Sequence, residues 1–296
     1  MINYFVVGSP ASRILAKKIA KKIQAKYLKT TLKVFPDGEN KLTIPERVHG
    51  GTTIVVSSTG PPVDTNLIHT LSLISKSREM SSNVIAVVPY MGYAKQDKEF
   101  LKGEIITISV IAKLFQAAGA TQIIVVDFHS PEALNFFKMP SKNLSIIPLV
   151  TKYFKKYNLK DPLIVSPDMF WKSNAEEFAK HLNATPIALD KRRDRKTGNL
   201  VIKSSFPKFS KGCDLILFDD MVSSGGSILK SIQFLKKKNF RKIYVVCTHP
   251  VFVRDAEKKI KNAGVTEIIG TNSIEGKFAK IDLSGIIVDA IQNWEK

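Results

Sequence analysis

The chain has 296 residues, 44% of them hydrophobic and 24% charged, which describes an ordinary folded protein and excludes a disordered or fibrous one. Its 45 Lys and Arg against 26 Asp and Glu leave a net charge of +19, a balance that favours polyanionic partners such as nucleic acids, anionic membranes or phosphorylated metabolites. No apolar run approaches the ~18–20 residues needed to cross a bilayer, and two cysteines, Cys213 and Cys247, build neither a disulfide framework nor a zinc site. The N-terminus has no basic region ahead of a long apolar stretch, so no signal peptide is expected and a cytoplasmic location is. The length is large for one core, and two domains are expected.

In chain order, short Val- and Ile-rich runs alternate with longer segments of helical period. Strands are expected at 2–7, 53–57, 84–88 and 123–127, then at 163–165, 215–218 and 243–246. Helices are expected near 11–25, 64–76, 105–117, 169–181 and 227–237, with Asp64 and Ser227 as N-caps and Gly119 as a C-terminal stop. Near-continuous hydrophobicity in the strands says that both sheet faces are covered, which is the signature of βαβ units around a parallel sheet. The lysines at 17, 18, 21 and 22 fall on one predicted helix and read as solvated surface.

A faint internal repeat points to two similar halves. Gln122-Ile123-Ile124-Val125-Val126-Asp127-Phe128-His129 matches Lys242-Ile243-Tyr244-Val245-Val246-Cys247-Thr248-His249 at an offset of 120 residues, and a helix precedes each at the same offset. The expected fold is therefore α/β, two similar domains, each a mostly parallel sheet flanked by helices. The boundary is placed in the polar, Pro-containing stretch 140–148. This gives an N-terminal domain over 1–144 and a C-terminal domain over 145–296, with the last helix a candidate to pack back on the first domain.

One local feature carries chemistry. The apolar strand 215–218 ends in Asp219 and Asp220, then turns through Met221-Val222-Ser223-Ser224-Gly225-Gly226-Ser227 into a helix. Backbone N–H groups at a helix N-terminus carry partial positive charge and hold phosphate readily. Gly225 and Gly226 allow close backbone approach, and the serines add hydroxyl donors. Asp219 and Asp220 stand at the carboxyl end of a strand, where α/β ligands bind, and suit ribose hydroxyls or a metal. The lysine that defines a Walker-type loop is missing, so this is a different phosphate site.

This acidic pair and small-residue loop resemble the ribose 5-phosphate loop of type I phosphoribosyltransferases and of ribose-phosphate pyrophosphokinases (phosphoribosyl diphosphate synthases). Further motifs favour the latter family. Phe35-Pro36-Asp37-Gly38-Glu39 is similar to its segment that reaches the adenine of ATP, often across a subunit boundary. Tyr93-Ala94-Lys95-Gln96-Asp97-Lys98 resembles its ATP-contacting loop, and Val126-Asp127-Phe128-His129-Ser130 the strand end whose histidine binds metal and nucleotide. Asp190-Lys191-Arg192-Arg193 is similar to its mobile catalytic loop. The stretch 57–67, Cys247-Thr248-His249-Pro250 and Thr271-Asn272-Ser273-Ile274 complete the set, in family order.

The resemblance implies a Mg²⁺-dependent transfer of diphosphate from ATP to ribose 5-phosphate, in an active site between the two domains. It assigns Lys191 and Arg193 to catalysis, and Phe35, Asp37, Glu39, Lys95, Gln96 and His129 to ATP. Asp219, Asp220, Ser223, Ser224, Gly225, Gly226 and Ser227 fall to ribose 5-phosphate, and His129 and Asp168 to metal. It also implies a homo-oligomer, at least a dimer, with neither nucleic acid nor membrane as partner. Cations suit this chemistry because two polyanions must meet, and arginine's planar fork grips phosphate oxygens in pairs.

Three departures accompany the likeness. The usual diphosphate-binding loop runs Ser-Pro-Asp, one residue, Gly-Gly, whereas here Ser166-Pro167-Asp168 is followed by Met169-Phe170-Trp171, which makes backbone donation to a diphosphate harder. Lys95 stands where arginine is usual, retaining charge and losing the fork. Ser223 and Ser224 stand where Asp-Thr is common. These departures keep two alternatives open: a catalytically silent relative that regulates an active partner, and a phosphoribosyltransferase-like regulator that binds nucleic acid.

Overall fold

The structure, a computed structural model, describes residues 3–46, 48–193, 200–203, 210–236 and 239–294; at 191–193 and 200–203 only the backbone is described. The ends of the strand predicted at 2–7 and of the helix predicted at 227–237 lie partly outside these residues. The chain divides into two compact units. Unit 1 comprises Met1–Ser145, Asn272–Gly276 and Asp282–Lys296, and unit 2 comprises Ile146–Thr271 and Lys277–Ile281. No helix among the described residues is long and apolar enough to cross a membrane.

Unit 1 opens with β1 (Tyr4–Gly8), α1 (Arg13–Lys22) and β2 (Lys26–Leu28). An antiparallel hairpin, β3 (Thr31–Val34) and β4 (Asn40–Thr43), follows. Then come β5 (Thr52–Val56), α2 (Val63–Met80), β6 (Asn83–Val88), α3 (Thr107–Ala117), β7 (Gln122–Val126) and β8 (Ser141–Leu144). Unit 2 runs α4 (Ile147–Phe154), β9 (Leu163–Ser166), α5 (Lys172–Leu182) and β10 (Thr185–Ala188), then the antiparallel hairpin β11 (Asp190–Arg193) and β12 (Leu200–Lys203). It continues with β13 (Asp214–Met221), α6 (Gly226–Leu235), β14 (Lys242–His249), α7 (Ala256–Asn262), β15 (Glu267–Thr271) and β16 (Ala279–Ile281). The last helix, α8 (Ser284–Gln292), belongs to unit 1. There Lys142 of β8 donates to the Ala290 carbonyl near its end at 2.8 Å and lies 4.6 Å from the Trp294 ring centroid.

Each unit is built on a six-stranded sheet, and both follow one plan. The orders are β2-β1-β5-β6-β7-β8 and β10-β9-β13-β14-β15-β16. Every neighbouring pair in both sheets is parallel. The expected α/β fold with parallel sheets is what the chain adopts. The central strands are largely apolar and buried, as in Ile54–Val56 of β5, because helices cover both faces.

The shared plan corrects the repeat. The matched segments lie in β7 and β14, which hold different places: β7 is fifth in its sheet and β14 fourth in the other. The counterpart of β14 is β6, and that of β7 is β15. Buried parallel strands draw on the same few β-branched residues, so two of them align even when they are not equivalent.

The two predicted N-caps each shift by two residues. Pro62 caps α2, and Asp64 sits inside its first turn, where it accepts the Tyr93 hydroxyl. Gly225 caps α6 with φ +76°. A Cβ added at Gly225 would come 3.0 Å from Ile260 Cδ1, so both backbone conformation and space ask for glycine there.

Candidate active site

The acid pair lies where a strand stops being core. Leu215–Phe218 of β13 are fully buried, and Asp219 and Asp220 follow in the same strand at 7% and 5% exposure. Asp219 Oδ1 accepts the Asp220 N–H at 3.1 Å, and Asp220 Oδ1 accepts the Met221 N–H at 2.7 Å, so each carboxylate stiffens the backbone that follows it. Burial, then the charges of Asp220 and Asp168, push the Asp219 carboxyl well above its ordinary value. Cys247, its register partner on β14, is likewise raised by burial and by Asp219, which leaves an unreactive thiol.

A raised carboxyl costs stability once the unfolded chain ionises freely. The unfolded Asp219 loses its proton near 3.8, whereas the folded one keeps it to higher pH. The folded state then holds the extra proton, and stability falls as pH rises through that window. Asp219→Asn is therefore expected to raise the thermal midpoint near neutral pH by roughly 2–4 °C, about 1 kcal/mol for a domain of this size, while weakening substrate binding. Calorimetry on the two proteins checks it.

Beyond the acids, the loop is pinned on one side. The Val222 N–H donates to the His249 carbonyl, and the Val222 and Ser223 carbonyls accept from Phe252 and Val253. Ser223 is half-buried, while Ser224, Gly226 and Ser227 are exposed. The N-terminus of α6 carries no side-chain cap and no acidic residue in its first turn. A Cβ at Gly226 would meet only the Ser224 hydroxyl, at 3.8 Å. Backbone at Gly226 is thus open to close approach beside the positive end of the helix.

Asp168 lies one connection away, after β9, the strand that pairs with β13. Its Oδ1 accepts the N–H groups of Phe170 at 3.0 Å and Trp171 at 3.3 Å, and the Ser166 hydroxyl donates to the Asp168 carbonyl at 2.6 Å. Asp168, Asp219, Asp220 and the loop 223–227 all stand at the carboxyl end of unit 2's sheet. In the same unit, Lys191 and Arg193 are in β11, but their side chains lie outside the described residues.

The remaining predicted site residues are in unit 1. Phe35, half-buried, opens the β3–β4 turn, with Lys33 Nζ 4.8 Å from its ring centroid. Asp37 and Glu39 are exposed at the tip, where Asp37 Oδ1 accepts the Glu39 N–H at 3.1 Å. Lys95 is exposed after β6. Gln96 is exposed too, but its side-chain carbonyl accepts the Thr107 hydroxyl at 2.5 Å and its backbone carbonyl accepts the Ile108 N–H at 3.3 Å, which ties it to the start of α3. His129 follows β7 half-buried. Beside it stands a residue that the motif contains and the sequence reading passed over: Asp127, 4% exposed, with φ +39°. A buried carboxylate held in the left-handed region at a strand end is the signal that could have found it.

No group of three or more His, Cys, Asp or Glu among the described residues is placed to hold a metal ion.

Comparison with known proteins decides what this arrangement belongs to. The model of the N-terminal domain of ribose phosphate pyrophosphokinase matches residues 4–119, and that of the phosphoribosyl synthetase-associated domain matches 210–293. Ribose-phosphate pyrophosphokinase of Sulfurisphaera tokodaii is 32% identical over 97% of this chain and 99% of that one. The chain belongs to the ribose-phosphate pyrophosphokinase family. The Methanothermobacter thermautotrophicus member is also 32% identical, over 97% of this chain and all of its own length. Among solved structures, phosphoribosylpyrophosphate synthetase from Mycobacterium smegmatis, 25% identical, superposes with a TM-score of 0.88 over 99% of both chains. The chain is thus an enzyme, a ribose-phosphate pyrophosphokinase by family, and the two-sheet architecture is the family's.

Proposed function

We propose that this enzyme transfers the β,γ-diphosphate of ATP to the 1-hydroxyl of ribose 5-phosphate, giving 5-phosphoribosyl 1-diphosphate and AMP. The observation that carries this reading is the glycine-capped N-terminus of α6, with no acidic residue in its first turn, behind the buried pair Asp219 and Asp220, in a member of this family. The 5-phosphate takes the N–H groups and hydroxyls of Ser223, Ser224, Gly225, Gly226 and Ser227, and the acid pair takes the ribose hydroxyls. The 1-hydroxyl oxygen bonds to the β-phosphorus as the bond from that phosphorus to the α,β-bridging oxygen breaks. The bridging oxygen and its electron pair leave with AMP, and the hydroxyl proton is released. Lys191 and Arg193 hold the moving diphosphate, and closure of their hairpin keeps water from taking the place of ribose.

In unit 1, Phe35 packs against the purine, and Asp37, Glu39, Lys95, Gln96 and His129 complete the contacts to ATP. Magnesium, the cation the reading requires, offsets polyphosphate charge when bound. The residues present fit it, because Mg²⁺ keeps several waters and needs only one or two carboxylates beside substrate phosphates. Asp168, whose second oxygen takes no part in the loop's hydrogen bonds, and His129 are each proposed as metal contacts. The reading also carries a homo-oligomer of at least two copies and a cytoplasmic location. Purified protein given ATP, Mg²⁺ and ribose 5-phosphate is expected to release AMP and 5-phosphoribosyl 1-diphosphate in equal amounts. ADP as the product would replace this reading with an ordinary kinase.

A further inference from the structure

The geometry points to a first βα loop in unit 2 that is already filled by its own carboxylate: Asp168, not a substrate diphosphate, occupies the amides of Phe170 and Trp171. The loop is held shut from both sides. Asp168 Oδ1 takes both N–H groups, at 3.0 and 3.3 Å, so the donors that an anion would need are used. Behind them Trp171, 5% exposed, meets the Phe218 ring of β13 edge-on with centroids 6.0 Å apart, and Phe170 stacks on it at an interplanar angle of 21°. Opening the amides would mean withdrawing a carboxylate and moving a packed indole.

Unit 1 repeats the device at the equivalent connection, between β1 and α1. There the Glu275 carboxylate accepts the Ile14 N–H at 2.6 Å and the Leu15 N–H at 2.9 Å. Glu275 lies on a segment that follows β15 of unit 2 in sequence yet belongs to unit 1. There the Ser58 hydroxyl also donates to the Ser273 carbonyl. In both units an acid of the chain itself takes two backbone N–H groups at this connection: Ile14 and Leu15 inside the first turn of α1, and Phe170 and Trp171 just ahead of α5. The consequence deepens the proposed function and rests on it: the transferring diphosphate is not held by the backbone of the β9–α5 loop. Asp168 acts there as a positioning residue through Oδ1.

Hydrogen exchange over the peptide Ser166–Lys172 tests this, with inorganic diphosphate as the probe. In the native chain these amides are expected to exchange slowly without ligand and to change by less than about 2-fold when diphosphate is added. Asp168→Ala should speed exchange by about 10-fold or more and create a response to diphosphate, which slows it again. Asp168→Asn, which keeps the acceptor oxygen, should retain the native protection. A native chain whose loop is slowed about 10-fold by diphosphate, or an alanine variant that gains no response to it, overturns the inference. AMP formation by the same native preparation reports on the reaction separately. Its absence alongside the expected exchange pattern removes the proposed reaction and leaves the filled loop standing.

Discussion

Replacing Lys191 and Arg193 together by alanine is expected to lower kcat by about 10²-fold or more, roughly 2.7 kcal/mol of transition-state stabilisation. The reaction makes little demand on covalent chemistry. Its barrier lies in bringing negative charge together and holding it in line, so cations that engage the moving group supply much of the catalysis. Both residues lie in β11, whose antiparallel register sets Lys191 opposite Ile202 and Arg193 opposite Leu200. With Asp168 filling the loop after β9, the Phe170 and Trp171 amides do not stand in for them. If the two residues clamp the diphosphate as proposed, kcat and kcat/KM should fall together, while the KM for ribose 5-phosphate stays close to native. Steady-state kinetics on the double variant measures both. A rate within about 3-fold of native, under half of the ~1.4 kcal/mol that a factor of ten represents, would rule out these two residues as the clamp.

The second large effect lies away from the site. Asp214 opens β13 fully buried and takes the guanidinium of Arg241 through Nε at 2.9 Å and Nη2. The Lys160 N–H adds a third bond at 2.9 Å, and Arg241 also reaches the Asn158 carbonyl at 2.8 Å. Arg241→Ala leaves the buried Asp214 carboxylate without its cation and is expected to destabilise the fold, although solvent reaches the exposed arginine. Burial alone would raise the Asp214 carboxyl, but the Arg241 and Lys160 hydrogen bonds outweigh it and hold the group below its ordinary 3.8. The pair's contribution is therefore complete above the unfolded value and is lost as pH falls through the folded one. Urea unfolding should show the native chain far more stable than the variant at about pH 7, with the gap narrowing at about pH 3. A gap that stays constant would assign the loss to packing of the arginine stem instead.

Much of the architecture was readable from residues alone. The seven expected strands correspond to β1, β5, β6, β7, β9, β13 and β14, because a strand buried on both faces writes itself as an unbroken apolar run. The elements that were passed over have no such signature. β3 is exposed at every residue, and β2, β8 and β16 are three- or four-residue pieces. Their pairing is decided by neighbours in the sheet, not by their own composition. α4 is only eight residues long, too short for its period to stand out.

The site divides in the same way. The strand end at Asp219 and Asp220 and the glycine turn into α6 were legible because an apolar run that stops at two acids and small residues is a local pattern. The sequence by itself determined two parallel α/β units, a helix start behind an acid pair at α6 and the family. Only the tertiary structure decided that β14 corresponds to β6 and not β7, that Asp214 meets Arg241, and that Glu275 fills the start of α1 from 260 residues away. It also showed that Asp168 turns back on its own loop. The physical reason is common to these cases. Local propensity is written in neighbouring residues, whereas the partner of a buried charge or an exposed helix start is set by which distant groups the folded sheet brings within about 3 Å.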